Sequence, residues 1–291
     1  MPFLSDELVT KENWQVNISL KNYSTIKIGG KAKYFTKPTS IESVKRTIKL
    51  AKENSLRYQI LGGGSKILFA DSGFDGVILS TAILNKLDYS SGLLYAESGV
   101  KVGKIIEYSL KNGLGGLEFL YSVPCSIGGA VKMNAGAFGY QTADFIESVT
   151  VFDGKSVLTL NKNQCGFSYR HSNLDGLVIL GVTLRLEKVN NAYSKCRYFL
   201  LKRQCTQPIA LSLGSVFKNP TGISAGALIE KCNLKGLTVG GASISHKHAN
   251  FIINKGNATS SEVLQLISKA SSAVYDKFKV KLEREIIYIG E

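Results

Sequence analysis

Four glycine-rich turns constrain this chain more than any other feature: Ile28-Gly29-Gly30, Gly62-Gly63-Gly64-Ser65, Gly128-Gly129 and Asn134-Ala135-Gly136-Ala137. Two of them lie in YSVPCSIGGAVKMNAGAFG, residues 121–139, where Lys132 is the only charged side chain. Glycine inside a helix or strand costs roughly 0.5–1 kcal/mol relative to alanine, so this stretch is poor material for regular structure. Neither common nucleotide fingerprint is present: position 67 is Ile, which breaks GxGxxG, and no GxxxxGK[ST] occurs. Small residues in several separated turns can still let backbone N–H groups approach a pyrophosphate and leave room for a flat cofactor. Any one turn is explained as a tight turn in a glycine-rich protein. Their joint occurrence carries the inference.

The 291 residues, 44% hydrophobic, suffice for about two domains. No apolar run reaches the roughly 18 residues of a membrane span, and MPFLSDELVTKENW lacks a basic region followed by an apolar one. A cytoplasmic protein with no membrane insertion is expected. Cys125, Cys165, Cys196, Cys205 and Cys232 form no CxxC pair and no metal-ligand spacing, which points to reduced, packed thiols and no metal. The net charge of +14 admits nucleic acid, an anionic surface or small anionic ligands. KCRYFLLKR and KVKLER are the densest basic runs, and a solvated face accounts for them. The concentrated stripe or recognisable module of a nucleic-acid-binding protein is absent.

Apolar spacing predicts a helix over 41–54, capped by Thr39 or Ser40, and a second over 102–111 ending at Asn112-Gly113. YQIL, VTVFDG, SVLTL and GLVILGVTLRLEK read as strands, with Asp153-Gly154 as a hairpin turn, so the middle region looks antiparallel. Towards the C-terminus a short helix, GALIEKCNL, precedes TSSEVLQLISKASSAVYDKF, a long helix with Thr259-x-x-Glu262 as its capping box. VKLEREIIYIGE reads as a strand that puts Glu285 on the face of Ile287 and Ile289. A carboxylate on a face turning apolar is a candidate functional group, with an exposed edge-strand Glu as the equal alternative.

Two polar constellations stand out. LGSVFKNP can present the Ser215 hydroxyl, the Lys218 cation and the Asn219 amide to one ligand, although on spacing alone a loop with a polar tip is the better explanation. In GFSYRHS, Arg170 is a candidate carboxylate clamp, because a guanidinium meets a carboxylate in bidentate fashion. His171, His246 and His248 support no Ser/His/Asp arrangement.

Taken in order, NYSTIKIGGKA, LGGGSKIL, GLGGLEFLYSVPCSIGGAVKMNAGAFG, YRHS, GSVFKNP, AGALIEKCNLKGLTVGGASISHKHANFIIN and LEREIIYIG resemble the UDP-N-acetylmuramate dehydrogenase family, also called UDP-N-acetylenolpyruvoylglucosamine reductase. These stretches span about residues 20–290. The resemblance implies an α+β fold of the vanillyl-alcohol-oxidase type, with FAD-binding subdomains over 1–83 and 84–203 and a substrate domain over 204–291. It implies non-covalent FAD, NADPH as reductant, and reduction of UDP-N-acetylglucosamine enolpyruvate to UDP-N-acetylmuramate in peptidoglycan precursor synthesis, by a protein expected to act as a monomer.

By the same resemblance Arg170 and Glu285 polarise the substrate carboxylate and Ser215 protonates C2. An alcohol is a weak acid whose conjugate base needs a stabilising neighbour, and the residues themselves offer Lys218 as one candidate. The FAD contacts are expected at Gly62, Gly63, Gly64, Ser65, Lys66, Ile67, Ser126, Ile127, Gly128, Gly129, Asn134, Ala135, Gly136 and Ala137. Lys218, Asn219, Lys235 and His248 match substrate-binding positions, the last two near the diphosphate. Lys66 replaces the family's usual Asn, and Ser122 and Cys125 replace the glycines of a GIPG turn. A positive φ at Cys125 would strain the backbone there. The short interval between Arg170 and Ser215 resembles the family's shorter form, so no Tyr lid is assigned.

Overall fold

Side-chain caps start the two helices that apolar spacing marks most clearly. In a computed structural model that describes residue 5, residues 9–10 and residues 12–290, the Ser40 side chain accepts from the Ser43 N–H and that of Ser43 reaches back to the Ser40 backbone, opening the helix Ile41–Glu53. Val44, Ile48 and Ala51 form its buried stripe. Thr259 and Glu262 make the same exchange at Ser260–Phe278, which ends on Lys279 in the left-handed region, φ 58°. Most of the N-terminal segment read as lacking a leader, and the final residue Glu291, lie outside the described residues.

The chain divides into two compact units, neither contiguous in sequence: residues up to Val16 with Tyr34–Gly63 and Gly76–Lys202, and Asn17–Lys33 with Gly64–Asp75 and everything from Arg203 onward. The first unit holds a five-stranded sheet in the order Val157–Asn161, Ile146–Phe152, Val178–Arg185, Leu93–Glu97, Leu87–Ser90, each neighbouring pair antiparallel. The turn between its first two strands forms at Asp153-Gly154. There the Asp153 carboxylate accepts the N–H groups of Lys155 and Ser156, and Gly154 takes φ 97°. Opposed pairs such as Val149 with Val182 and Val182 with Ala96 face a core closed by the helices Val102–Lys111 and Ile127–Lys132. The helix Ile41–Glu53 packs with Leu79, Leu84 and Leu180 in a smaller cluster.

The second unit holds a four-stranded sheet in the order Ser212–Ser215, Phe251–Asn254, Ala242–Ile244, Thr238–Val239. Leu228 and Ile229 of the helix Ala225–Lys231 and Leu266, Ile267 and Val274 of Ser260–Phe278 share its core with Ile26, Ile28 and Leu68. Ile67–Phe69 pairs in parallel with Ile287–Ile289. The C-terminal strand is thus much shorter than VKLEREIIYIGE suggests. A bend at Ile286 interrupts the alternation, so Glu285 and Ile289 are buried while Ile287 is 43% exposed. Among the described residues no helix is long and apolar enough to cross a membrane.

Candidate active site

Within the second unit, an irregularity in strand pairing sets up Ser215. Ser212 opposes Ile253 and Ser215 opposes Phe251, so the chain between them bulges, with Gly214 at φ 68°. A bulge re-aims the side chains that follow it, and the next residues are held from two sides. The Val216 N–H donates to the Asn250 carbonyl at 2.9 Å. Glu285 N–H donates to Val216 O at 2.8 Å and Lys218 N–H to Glu283 O at 2.9 Å. Ser215 and Glu285 are thereby tied to one short backbone ladder.

Lys66 completes this arrangement. Its Nζ donates to the Ser215 carbonyl at 2.7 Å and lies 2.8 Å from Glu285 Oε1. The Glu285 side chain is only 7% exposed, and a buried carboxylate is tolerable when a cation and hydrogen bonds compensate its lost hydration. Lys66 is anchored in turn, its carbonyl accepting from Ile287 N–H at 2.8 Å. The residue expected as a cofactor contact therefore presents its ammonium to the carboxylate and the backbone of two expected catalytic residues. Lys218, the candidate neighbour for the Ser215 hydroxyl, instead directs its ammonium to Glu283 at 2.5 Å.

The other expected substrate residues are also in this unit. Asn219 Oδ1 accepts the Ala225 N–H at 3.0 Å, at the start of the helix Ala225–Lys231. Lys235 pairs with Glu230 at 2.6 Å. His248 packs against Phe251 with ring centroids 4.8 Å apart and the planes tilted by 57°, and its Nδ1 accepts from Asn250 N–H, which leaves Nε2 as the donor of the neutral ring. Burial, then the nearby Lys235 charge, lowers the His248 pKa below its ordinary value. Gly226 keeps space for that ring, since a Cβ there would stand 3.1 Å from Cε1.

Arg170 belongs to the first unit. It occupies a tight turn closed by reciprocal Ser168–His171 backbone bonds and takes φ 55°, a left-handed conformation uncommon for a non-glycine residue. Its Nη2 donates to Gly136 O at 2.7 Å and its guanidinium lies 5.1 Å from the Tyr169 ring centre. A Cβ on Gly136 would approach Nη1 to 3.0 Å, so this glycine admits the guanidinium beside the 134–137 turn. The side chain of Asn134 is committed within the turn, donating to Gln141 Oε1 and Ser168 O and accepting from Ala143 N–H. With its backbone N–H donated to Val131 O as well, Asn134 has no donor left for a ligand.

Three of the glycines expected to line FAD are required by close packing within the chain itself. A Cβ on Gly62 would stand 2.6 Å from Ser126 Oγ, and one on Gly63 3.0 Å from Ser126 N. On Gly64 it would collide with the Tyr23 carbonyl. The N–H groups of Gly62, Gly63, Gly64 and Ser65 donate to no other described residue, so successive amides in a small-residue turn remain available to an anion, as a diphosphate needs. Those of Ile127, Gly128 and Gly129 are already taken by Val100 O, Ser98 O and Ser126 Oγ. Of the two replaced glycines, Ser122 is the one at positive φ, 70°, and Cys125 is not among the positive-φ residues. The positive φ that would have strained Cys125 is found three residues earlier.

Asn250 escaped the sequence reading. A single polar residue between Ala249 and Phe251 in an otherwise apolar run was its only signal.

Residues 207–289 match the family model described as UDP-N-acetylenolpyruvoylglucosamine reductase, C-terminal domain, and residues 32–160 match one described as FAD binding domain. The UDP-N-acetylenolpyruvoylglucosamine reductase of Clostridium novyi is 40% identical over 98% of this chain and 95% of its own length. The Caldicellulosiruptor saccharolyticus protein of the same name is 41% identical over 94% and 90%. Among solved structures, the UDP-N-acetylenolpyruvylglucosamine reductase from Thermus caldophilus superposes with a TM-score of 0.84 at 33% identity, covering 95% of this chain and all of that one.

Proposed function

The chain belongs to the UDP-N-acetylenolpyruvoylglucosamine reductase family, and we propose that Ser215, Glu285 and Arg170 are the residues with which it carries out that family's reaction. The reaction is the NADPH-dependent, FAD-mediated reduction of UDP-N-acetylglucosamine enolpyruvate to UDP-N-acetylmuramate, a step of peptidoglycan precursor synthesis. FAD, held at the Gly62–Ser65 turn, would supply the two-electron hydride chemistry that links NADPH to the vinyl carbon C3.

The protein's own task lies at C2 and the carboxylate. Hydride at C3 leaves carbanion character at C2, delocalised into the carboxylate, and such a state is stabilised by fixed charges and donors already in place. Ser215 is read as the donor of the C2 proton. Arg170 is read as the clamp on the carboxylate, which it can meet through two parallel N–H bonds, with Glu285 polarising the same group. The Gly62–Ser65 amides are read as the diphosphate cradle of FAD, and Lys235 and the Nε2–H of His248 as donors to the diphosphate of the UDP-sugar, with Lys218 and Asn219 beside it. Residues 1–83 and 84–203 are taken as the FAD-binding parts and 204–291 as the substrate part, in a monomer working in the cytoplasm.

The observation that carries this reading is the meeting of Ser215 and Glu285 on Lys66. It is tested by following NADPH oxidation by the FAD-loaded protein with and without UDP-N-acetylglucosamine enolpyruvate. Oxidation that requires the enolpyruvyl compound is expected. A rate independent of it would mark a general oxidase and overturn the reading.

A further inference from the structure

The Lys66 ammonium touches two groups that the reaction would need to hold still. It lies 2.8 Å from Glu285 Oε1 and 2.7 Å from the Ser215 carbonyl oxygen. We propose that Lys66 is a positioning residue: it fixes the Glu285 carboxylate and the backbone of Ser215 to one another, and it balances the charge of Glu285 so that an anionic substrate can bind nearby. This rests on the roles proposed above for Ser215 and Glu285.

Three observations carry it. The Lys66–Glu285 pair is far less exposed than the chain's surface pairs: the two side chains are 24% and 7% exposed, against 75% and 53% for Lys49 and Glu53. Exposed pairs contribute little, whereas a buried charge left without its partner is costly. Lys66 is also held by its backbone through Ile287 N–H, so its ammonium starts from a fixed point. Finally, the second contact is to the main chain of Ser215, directly after the positive-φ Gly214.

Charge balance gives the arrangement its chemical sense. An isolated carboxylate beside a substrate carboxylate that gains enolate character would repel it as the reaction proceeds. With Lys66 in contact, the Lys66–Glu285 unit is neutral, and Glu285 can orient the substrate without adding net negative charge. An asparagine at position 66 could hydrogen bond but could not supply that charge.

The test is a double-mutant cycle on the FAD-loaded enzyme, with every rate expressed per bound flavin: Lys66→Met, Lys66→Arg, Glu285→Gln and the double variant Lys66→Met with Glu285→Gln. Misplacing a reacting group by about 1 Å costs on the order of 100-fold, so Lys66→Met should lower kcat by about that factor while KM changes much less. Lys66→Arg should recover most of the loss, and the double variant should lose clearly less than the product of the two single losses, the part that remains reporting the Ser215 contact. Losses that multiply in the double variant would overturn the proposal, because Lys66 would then act independently of Glu285. So would a Lys66→Met enzyme of unchanged kcat, or equal loss in Lys66→Arg and Lys66→Met. A Glu285→Gln enzyme of wild-type rate is a different failure: it removes the proposed role of Glu285 itself, and the positioning role with it. If Lys66→Met does not fold, Lys66→Gln, which keeps a hydrogen-bonding side chain without the charge, takes its place under the same criteria.

Discussion

Asn250 closes both backbone hydrogen bonds of Phe217: its Oδ1 accepts the Phe217 N–H at 2.9 Å, and its Nδ2 donates to the Phe217 carbonyl at 2.8 Å. Both residues are buried, at 3% and 2% exposure. An amide side chain is here standing in for a neighbouring strand. Asn250→Ala leaves two buried main-chain groups unpaired, each worth about 1–3 kcal/mol, so the urea unfolding midpoint should fall accordingly. Because Phe217 is two residues from Ser215, kcat should fall with it. A variant of unchanged stability would show that the clamp is dispensable.

Ser215→Ala removes the proposed proton donor. General acids contribute about 10²- to 10⁴-fold, and steady-state reduction of the enolpyruvyl compound should drop within that range. NADPH should still bleach the flavin absorbance in a stopped-flow trace. Turnover near the wild-type rate would exclude Ser215 as the acid.

Ser122 and Cys125 make opposite predictions. Left-handed backbone costs a non-glycine residue roughly 1–2 kcal/mol, offset in part by the greater freedom glycine has when unfolded, so Ser122→Gly should stabilise the protein by about 0.5–1 kcal/mol. Cys125 is buried and shows no positive φ. Cys125→Gly should therefore destabilise, losing packing and gaining chain freedom. Thermal melts of the two variants would check this contrast directly.

His248 links stability to pH. Its folded pKa lies below the ordinary 6.5 because of burial and, secondarily, Lys235. The unfolded chain therefore takes up a proton at a pH where the folded protein does not, and the His248 contribution, complete above 6.5, is lost as pH falls from there towards the lowered folded value. His248→Gln should flatten that part of the profile, read as a smaller difference between urea midpoints at about pH 7.5 and pH 5.5 than the wild type shows. An unchanged difference would assign the slope to other groups.

The capped helices were legible because Ser40 and Thr259 precede clean apolar stripes, and the 149–188 region because its strands alternate around Asp153-Gly154. The helix Ala192–Thr206 was not. Its Cys196 and Phe199 are buried while Tyr193, Tyr198 and Leu201 are exposed, so apolar residues occur on both faces and leave no stripe to recognise. The bend at Ile286 has no local signal either. Of the candidate site, the residue types at Ser215, Glu285 and Arg170 were visible with the family pattern in hand. The partners that hold them were not, because Lys66 meets Glu285, and Asn250 meets Phe217, only after long stretches of intervening chain have folded.

The parallel pairing of Ile67–Phe69 with Ile287–Ile289 has a consequence in time. Contacts between residues so distant in the chain form late, since the ends of a long loop must first be brought together. Lys66 and Glu285 flank this pair on its two strands. During synthesis the half-site on Lys66 waits until the chain has been made as far as Glu285, so loss of the 287–289 strand would unmake the very contact that joins Glu285 to Lys66, leaving a chain that carries its glycine turns but not its assembled ionic centre.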